Sequence, residues 1–567
     1  MASRHISLFL YFVLTILLSF GNAAEQQQPL QAVDATPKKV AIIGAGAGGS
    51  FTAYQLRKLA DEAGIPVKIT VYERESYVGG RSTTVNVFGD PAYPIELGAS
   101  IFVQVNYNLV NASRDLGLTV RSADYARPQE ADESIGIWDG SQFVFSLKNT
   151  YKWWNLGRLF WRYGLAPLRT QNLVKKIVGQ FLRLYEEPLF PFNSLSGAAI
   201  AAELLNATAS SGAAFLHAND VGSLFAREII QASTRVNYGQ NLQLIHGLES
   251  VVCMATDGAV SIEGGNWRIF DAALSASHAH VNVNTTVTGI IRNSDGTMQV
   301  SSKLNAASTS EKTFDEVVVA GPLQYSGISI SPSLDHTPDE IPYVNLHVTL
   351  FSSPHRIAPQ YFGLDLNARA PETILTTLPE DFNPENKADV GPSGFWSIST
   401  LRTVDHPTVN SEETEQHYVY KIFSPERPTA EFIAGILGLE KDYVSSNATI
   451  GDLSKNDVSW CHEKLWNPYP VLYPRVTFED TLLAPGVWYT GGIESFISTM
   501  ETSALMGRNV ATLMFQSWQK DVRVNDGAAT EKFPKNESLY QLPHHLFRDI
   551  FDPVNTRPIP YKCMLTH

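Results

Sequence analysis

The run Val40 to Gly49, V-A-I-I-G-A-G-A-G-G, constrains the fold more than any other stretch, because it sets Gly44, Gly46 and Gly49 in G-x-G-x-x-G spacing behind an apolar strand. In such a strand–turn–helix unit the first glycine permits the tight turn, the second lets the backbone approach a pyrophosphate, and the third allows close helix–strand packing. Unpaired N–H groups at the helix head, where Gly48 also lies, face the anion. Ser50 to Ala63 reads as an amphipathic helix and Val67 to Tyr72 as a second apolar strand, ending at Glu73, within the window for a ribose-binding carboxylate. That acid accepts hydrogen bonds from ribose hydroxyls and repels a 2′-phosphate. NADP is therefore disfavoured, and NAD and FAD remain.

Two segments follow that a simple nicotinamide dehydrogenase does not require, Val78-Gly79-Gly80-Arg81 and Pro94-Ile95-Glu96-Leu97-Gly98-Ala99-Ser100. Both resemble segments of glutathione-reductase-like flavoproteins, amine oxidases included. The resemblance implies Gly80 and Arg81 on the pyrophosphate side and the Glu96-x-Gly98 segment beneath a flavin, and so FAD. Far downstream, Val487 to Glu494 followed by Ser498 to Leu505 reads as strand, glycine turn and a helix through about Phe515. In FAD oxidases of this fold such a return closes the site around the ribityl chain and flavin ring, which makes Gly491, Gly492, Glu494, Met500 and Glu501 candidate contacts. From the residues alone, a buried amphipathic helix without a ligand fits as well. Between these ends, Glu263 to Asn266, a helix from Trp267 to His278, strands at Val281–Asn284 and Val287–Ile291, and Phe314 to Pro322 follow the order in which amine-oxidase-like chains return to the FAD domain. That order implies Val287 beside the adenine and Gly321 near the diphosphate.

One family resembles more of the chain. Trp161-Arg162-Tyr163-Gly164, Thr234-Arg235-Val236-Asn237-Tyr238-Gly239-Gln240, Gly258 to Asn266 and the Ser-x-Met-Glu-x-Ser-Ala helix are similar to the prenylcysteine oxidase (prenylcysteine lyase) family, from about Lys38 to Phe515. The R-V-N-Y-G-Q segment discriminates, since the FAD motifs occur across many oxidases. Two departures put the substrate in doubt but not the cofactor: Thr490-Gly491-Gly492 stands where an asparagine is expected, and the Val344–Phe351 strand is divergent. The implied fold is α/β, a Rossmann-type FAD-binding domain interleaved with an α+β substrate-binding domain. The expected segments are a signal peptide over 1–24, a lead-in over 25–37, FAD-binding parts at 38–128, 246–330 and 481–519, a substrate/cap region at 129–245, a substrate domain at 331–480 and a tail at 520–567.

Composition agrees with this reading. With 567 residues, 44% of them hydrophobic, there is ample core for two interleaved domains. A net charge of -14 argues against a nucleic-acid partner. Arg4 and His5, an apolar run from Ile6 to Phe20 and then Gly21-Asn22-Ala23-Ala24 have the regions of a signal peptide, with an uncleaved anchor as the alternative. Sequons at Asn111, Asn206, Asn284, Asn447 and Asn536 agree with secretory passage, to a lysosome, a vacuole or the exterior. Three cysteines, Cys253, Cys461 and Cys563, allow at most one internal bridge, and no His/Cys cluster suggests a metal. From Lys152 to Tyr185 the chain carries seven Lys and Arg residues and no acid, interleaved with Trp153, Trp154, Phe160, Trp161 and Tyr163. This suits an anionic membrane surface, or else a helical cap whose aromatics are core.

The resemblance implies a prenylated thioether as substrate and O2 as oxidant. The carbon between sulfur and the isoprenoid is both allylic and next to sulfur, so hydride loss to flavin leaves a delocalised cation. Water then gives a hemithioacetal, which collapses to prenyl aldehyde and cysteine, with H2O2 as the reduced product of O2. The protein has mainly to hold an apolar tail, orient the carbon and restrict water. Asn237, Tyr238 and Gln240 are the candidates for substrate-side polar contacts, with burial as hydrogen-bond nodes of the fold as the alternative. His246, His280 and His347 are further proton acceptors to weigh. An amine-oxidase-like or biosynthetic flavin oxidase of another apolar substrate, and a non-catalytic secreted flavoprotein, stay open.

Overall fold

Parallel strands buried on both faces read as apolar runs without alternation, and the first strand of the computed structural model does so. The structure describes residues 36–123, 134–148, 152–256, 258–305, 307–382, 386–407, 414–440 and 448–525. The expected signal peptide, Asn447, Asn536 and Cys563 lie outside them, as do the side chains of Trp153 and Trp154. Strands β1 (Lys38–Ile43), β2 (Val67–Tyr72), β3 (His280–Asn282), β4 (Glu316–Val319), β5 (Leu482–Ala484) and β6 (Val487–Tyr489) form one sheet in the order β5-β6-β4-β1-β2-β3. Every pairing except β5–β6 is parallel. Val40, Ala41 and Ile42 of β1 and Val317 and Val318 of β4 have no exposure. Ile43 pairs with both Tyr72 and Val319, so the carboxyl ends of β1, β2 and β4 open side by side.

Helix α1 (Ala47–Glu62) starts there. A Cβ on Gly49 would sit 2.0 Å from the Gly44 carbonyl oxygen, so the helix packs on the turn only because that residue is glycine. The chain between the sheets supplies α2 (Lys152–Tyr163), α3 (Ala166–Leu182), α4 (Gln231–Tyr238) and α5 (Gly247–Val252). Helix α6 (Met500–Asn525) closes the fold on α1, with a Gly507 Cβ position 2.2 Å from the Gly48 carbonyl oxygen. One apolar core joins β1, β2, α1, α3, α5 and α6.

A second, seven-stranded sheet runs in the order Trp460–Trp466, Leu346–Ser353, Thr414–Ser424, Ser397–Pro407, Thr373–Thr376, Ser134–Trp138, Phe143–Lys148. Three expectations change here. Pro371 to Gly394 reads from sequence as a polar surface loop, but Thr373–Thr376 is an interior strand, and Thr376 and Thr377 have no exposure. Its β-branched content is hidden in the sequence by the flanking prolines. Within the substrate/cap segment, the hairpin of Ser134–Trp138 and Phe143–Lys148 belongs to this sheet, joined in parallel to Thr373–Thr376. The helices read as Trp267–His278 and as ending near Phe515 span Trp267–Ala276 and run on to Asn525.

Candidate functional site

The carboxyl ends of β1, β2 and β4 open into a cleft of about 570 Å³ that continues to the second sheet. Its walls come from the Gly44–Gly48 turn, Glu73, Gly79 to Ser82, Gly98, Thr285 to Val287, Lys464 to Tyr469 and Ser498 to Met500. The first turn of α1 directs N–H groups with no intrahelical partner into this space. Gly46 has no protein atom closer than 3.8 Å to where a Cβ would be, so a side chain there would project into the cleft. The Glu73 carboxylate accepts the Ala45 N–H at 2.8 Å and the Glu75 N–H at 2.9 Å. Burial raises its pKa, and those two bonds offset part of the rise. It thereby fixes the turn while facing the cleft.

Of the expected cofactor contacts, Gly44, Gly46, Gly48, Glu73, Gly80, Arg81, Gly98, Val287, Glu494 and Met500 line this cleft, and Gly321 does too. Arg81 differs from the expectation in how its charge is used. Its guanidinium grips Glu494 with two bonds, of 2.8 and 2.6 Å, and donates to the Pro468 carbonyl. Tyr343 also donates to Glu494. Gly49, Glu96, Gly491, Gly492 and Glu501 are not on the wall. Glu501 accepts the N–H groups of Asn108 and Leu109, the Asn108 amide and the Tyr185 hydroxyl, so it anchors the Tyr107–Asp115 helix instead. Glu96 accepts the Asn266 N–H at 2.6 Å, and burial pushes its pKa up to about 7. Gly492 packs against Glu479, and a Gly491 Cβ would meet the Tyr489 ring.

The R-V-N-Y-G-Q segment lies behind the cleft. Asn237 donates to the Ser233 carbonyl one turn back. Gln240, with no exposure, ties the Pro470 carbonyl and the Leu472 N–H. Tyr238 is buried and packs edge-on to Tyr469, which is itself on the wall. Tyr238 and Gln240 thus brace the wall through Tyr469, Pro470 and Leu472, whereas Asn237 is half-buried and bonds back within its own helix. Arg235 is the hub: fully buried, it donates to Thr376, Asn241, the Val390 carbonyl and Ser393 and lies over the Trp396 ring at 4.7 Å. His246, His280 and His347 are absent from the wall.

Sequence reasoning missed Lys464 to Tyr469, K-L-W-N-P-Y, which carries no phosphate or metal signature; its dense aromatic and proline content was the available signal. Trp466 lies against Gly98, where a Cβ would come within 3.0 Å of the indole ring. The Trp466 indole N–H is buried with no partner among the described residues.

Comparison with known proteins agrees with this geometry. A family model described as prenylcysteine lyase matches residues 147–527, and one described as an NAD(P)-binding Rossmann-like domain matches 42–115. The chain belongs to the prenylcysteine lyase family. Farnesylcysteine lyase of Arabidopsis thaliana is 29% identical over 497 residues, covering 85% of this chain and 89% of that protein. Prenylcysteine oxidase 1 of Homo sapiens is 28% identical over 515 residues, covering 85% and 90%. Among solved structures, putrescine oxidase bound to putrescine (TM-score 0.52, 15% identity, 85% and 99% covered) and cyclohexylamine oxidase from Brevibacterium oxydans (TM-score 0.52, 15% identity, 85% and 100% covered) share the fold.

This prenylcysteine lyase family member is a flavin-dependent oxidoreductase, and FAD is its cofactor. The residues present fit FAD: a glycine cradle at Gly44, Gly46, Gly48 and Gly80 suits a pyrophosphate, Glu73 suits a ribose, and the unpaired Trp466 N–H offers a donor at the second sheet. Among the described residues no His, Cys, Asp and Glu group has metal-holding geometry. Cys253 and Cys461 are free thiols.

Proposed function

We propose that the enzyme oxidises the thioether carbon of an S-prenylated cysteine, farnesyl or geranylgeranyl, to give prenyl aldehyde, free cysteine and H2O2. The observation that carries this reading is the cleft itself, which joins the glycine cradle to an apolar wall of Trp466, Pro468 and Tyr469 and offers few free charges there. Arg81 and Glu494 neutralise one another, which favours an uncharged, polarisable reacting group. FAD, when bound, would accept a hydride, one proton with two electrons, from the carbon next to sulfur and pass both electrons on to O2. One water supplies the aldehyde oxygen, and its protons go to the cysteine sulfur and to bulk water. Trp466 and Tyr469 hold the isoprenoid against the cofactor, and Glu494 and Arg81 fix the wall.

Farnesylcysteine added without oxygen to the flavin-loaded enzyme should bleach its absorbance, and air should restore it with one H2O2 per aldehyde. Turnover of amines with no response to any prenylated thioether would overturn the reading. The N-terminal signal-like segment and the sequons support passage through the secretory pathway toward a lysosome, a vacuole or the exterior. Asn111 and Asn206 are exposed and available for glycosylation. A mass shift on glycosidase treatment of the natively expressed protein tests this.

A further inference from the structure

The cap carries a surface that thioether oxidation does not require. Helices α2 and α3 meet at Gly164, and around that turn Trp161 is 93% exposed, Leu165 58% and Leu168 45%. An indole left this open is unusual for a side chain whose burial dominates most cores. Along α3 and its two flanking residues, the exposed positions Leu165, Leu168, Asn172, Lys175, Lys176, Gly179 and Arg183 follow helical spacing along one stripe, apolar at its start and basic beyond. Arg162 and Arg183 are paired with Glu228 and Glu203. Among the described residues no carboxylate pairs with Arg158, Lys175 or Lys176.

These cations stand out against a chain of net charge -14, which an anionic surface would otherwise repel. The other end of α3 reaches the site: Phe181 packs on Phe496 at 6.4 Å, and the Tyr185 hydroxyl bonds Glu501 beside Met500 of the cleft wall. The far end of α3 therefore lies against residues immediately behind the wall. No described helix is long and apolar enough to cross a membrane, so any membrane engagement by these residues is at its surface.

We propose that the α2–α3 turn docks on an anionic phospholipid membrane, with Trp161, Leu165 and Leu168 entering the headgroup boundary and Arg158, Lys175 and Lys176 facing the lipid phosphates. This goes beyond the proposed reaction and depends on it only for its purpose, since a prenylated thioether partitions into lipid. Apolar insertion and electrostatic attraction are the two terms such binding needs.

Flotation of the full-length, flavin-loaded enzyme with vesicles tests it. Vesicles of phosphatidylcholine with phosphatidylserine should bind several-fold more enzyme than phosphatidylcholine alone, and added salt should reduce the difference. The variant W161S/L165S/L168S should lose most binding to both vesicles. K175E/K176E should lose the phosphatidylserine preference, about fivefold per lysine. These side chains are exposed, so both variants should keep the flavin content and melting temperature of the parent. The apolar run Ile6–Phe20 is common to all and explains no difference between them. Absence of vesicle binding, binding indifferent to phosphatidylserine and to both variants, or self-association that the triple variant abolishes would each overturn the proposal. Flotation needs no turnover, so an enzyme that docks but leaves prenylcysteine untouched would refute the reaction and keep the docking.

Discussion

Glu249 has no exposure, and neither carboxylate oxygen meets a well-formed hydrogen bond. Burial pushes its pKa up to about 8, with the Tyr238 hydroxyl and the Ser498 N–H offsetting part of the penalty. The native state therefore keeps a proton that the unfolded chain releases near pH 4. Stability from that proton is complete in acid and lost as the pH rises toward 8. His246 acts in the opposite sense: burial lowers its pKa to about 4, so below the ordinary imidazole value of 6.5 the unfolded chain gains the proton instead. Between pH 6.5 and 8 the carboxyl effect stands clear of it. In that window the unfolding free energy of the wild type, measured by urea titration, should fall by about 1.4 kcal/mol per pH unit at most for Glu249. Glu249→Gln should flatten the dependence, leaving the contribution of Glu96. An unchanged slope would show that Glu249 is ionised in the native state.

At the level of single elements, two glycines of one turn have different duties. A Cβ at Gly49 collides with the Gly44 carbonyl, whereas one at Gly46 meets nothing closer than an ordinary 3.8 Å contact. Gly49→Ala should lower the melting temperature of the apoprotein. Gly46→Ala should leave it nearly unchanged and weaken FAD binding by about tenfold or more, a loss of roughly 1.4 kcal/mol. Equal effects of both substitutions on apoprotein melting would refute the division. This turn was legible in sequence because its chemistry is local: strand, glycines and acid lie within one βαβ unit. The duties of Asn237, Tyr238 and Gln240 were not, because their partners Ser233, Tyr469, Pro470 and Leu472 are mostly distant in sequence, and a polar side chain reads alike as ligand contact or buried node. Arg235 escaped for the same reason. Nothing near it announces a charge held by Thr376, Val390 and Ser393.

Across the whole molecule, the cleft is assembled from residues at both ends of the described chain. A protein ending at residue 480 would lack Thr490, Glu494 and Ser498 to Met500, and would expose the face of α1 that Gly507 covers. Its expected flavin-to-protein absorbance ratio is near zero after gel filtration, even though the whole G-x-G-x-x-G turn is present. Retention of stoichiometric flavin would show that the first βαβ unit binds FAD without the closing helix.

The contact of Gly507 on Gly48 also sets a timetable for synthesis. At roughly 5–20 residues per second, α6 leaves the ribosome about half a minute to a minute and a half after β1. Until then β4 waits for its neighbour β6, and α1 has no lid. A cradle that needs α6 to close is thus expected to capture FAD only after Gly507 has been made, late in synthesis.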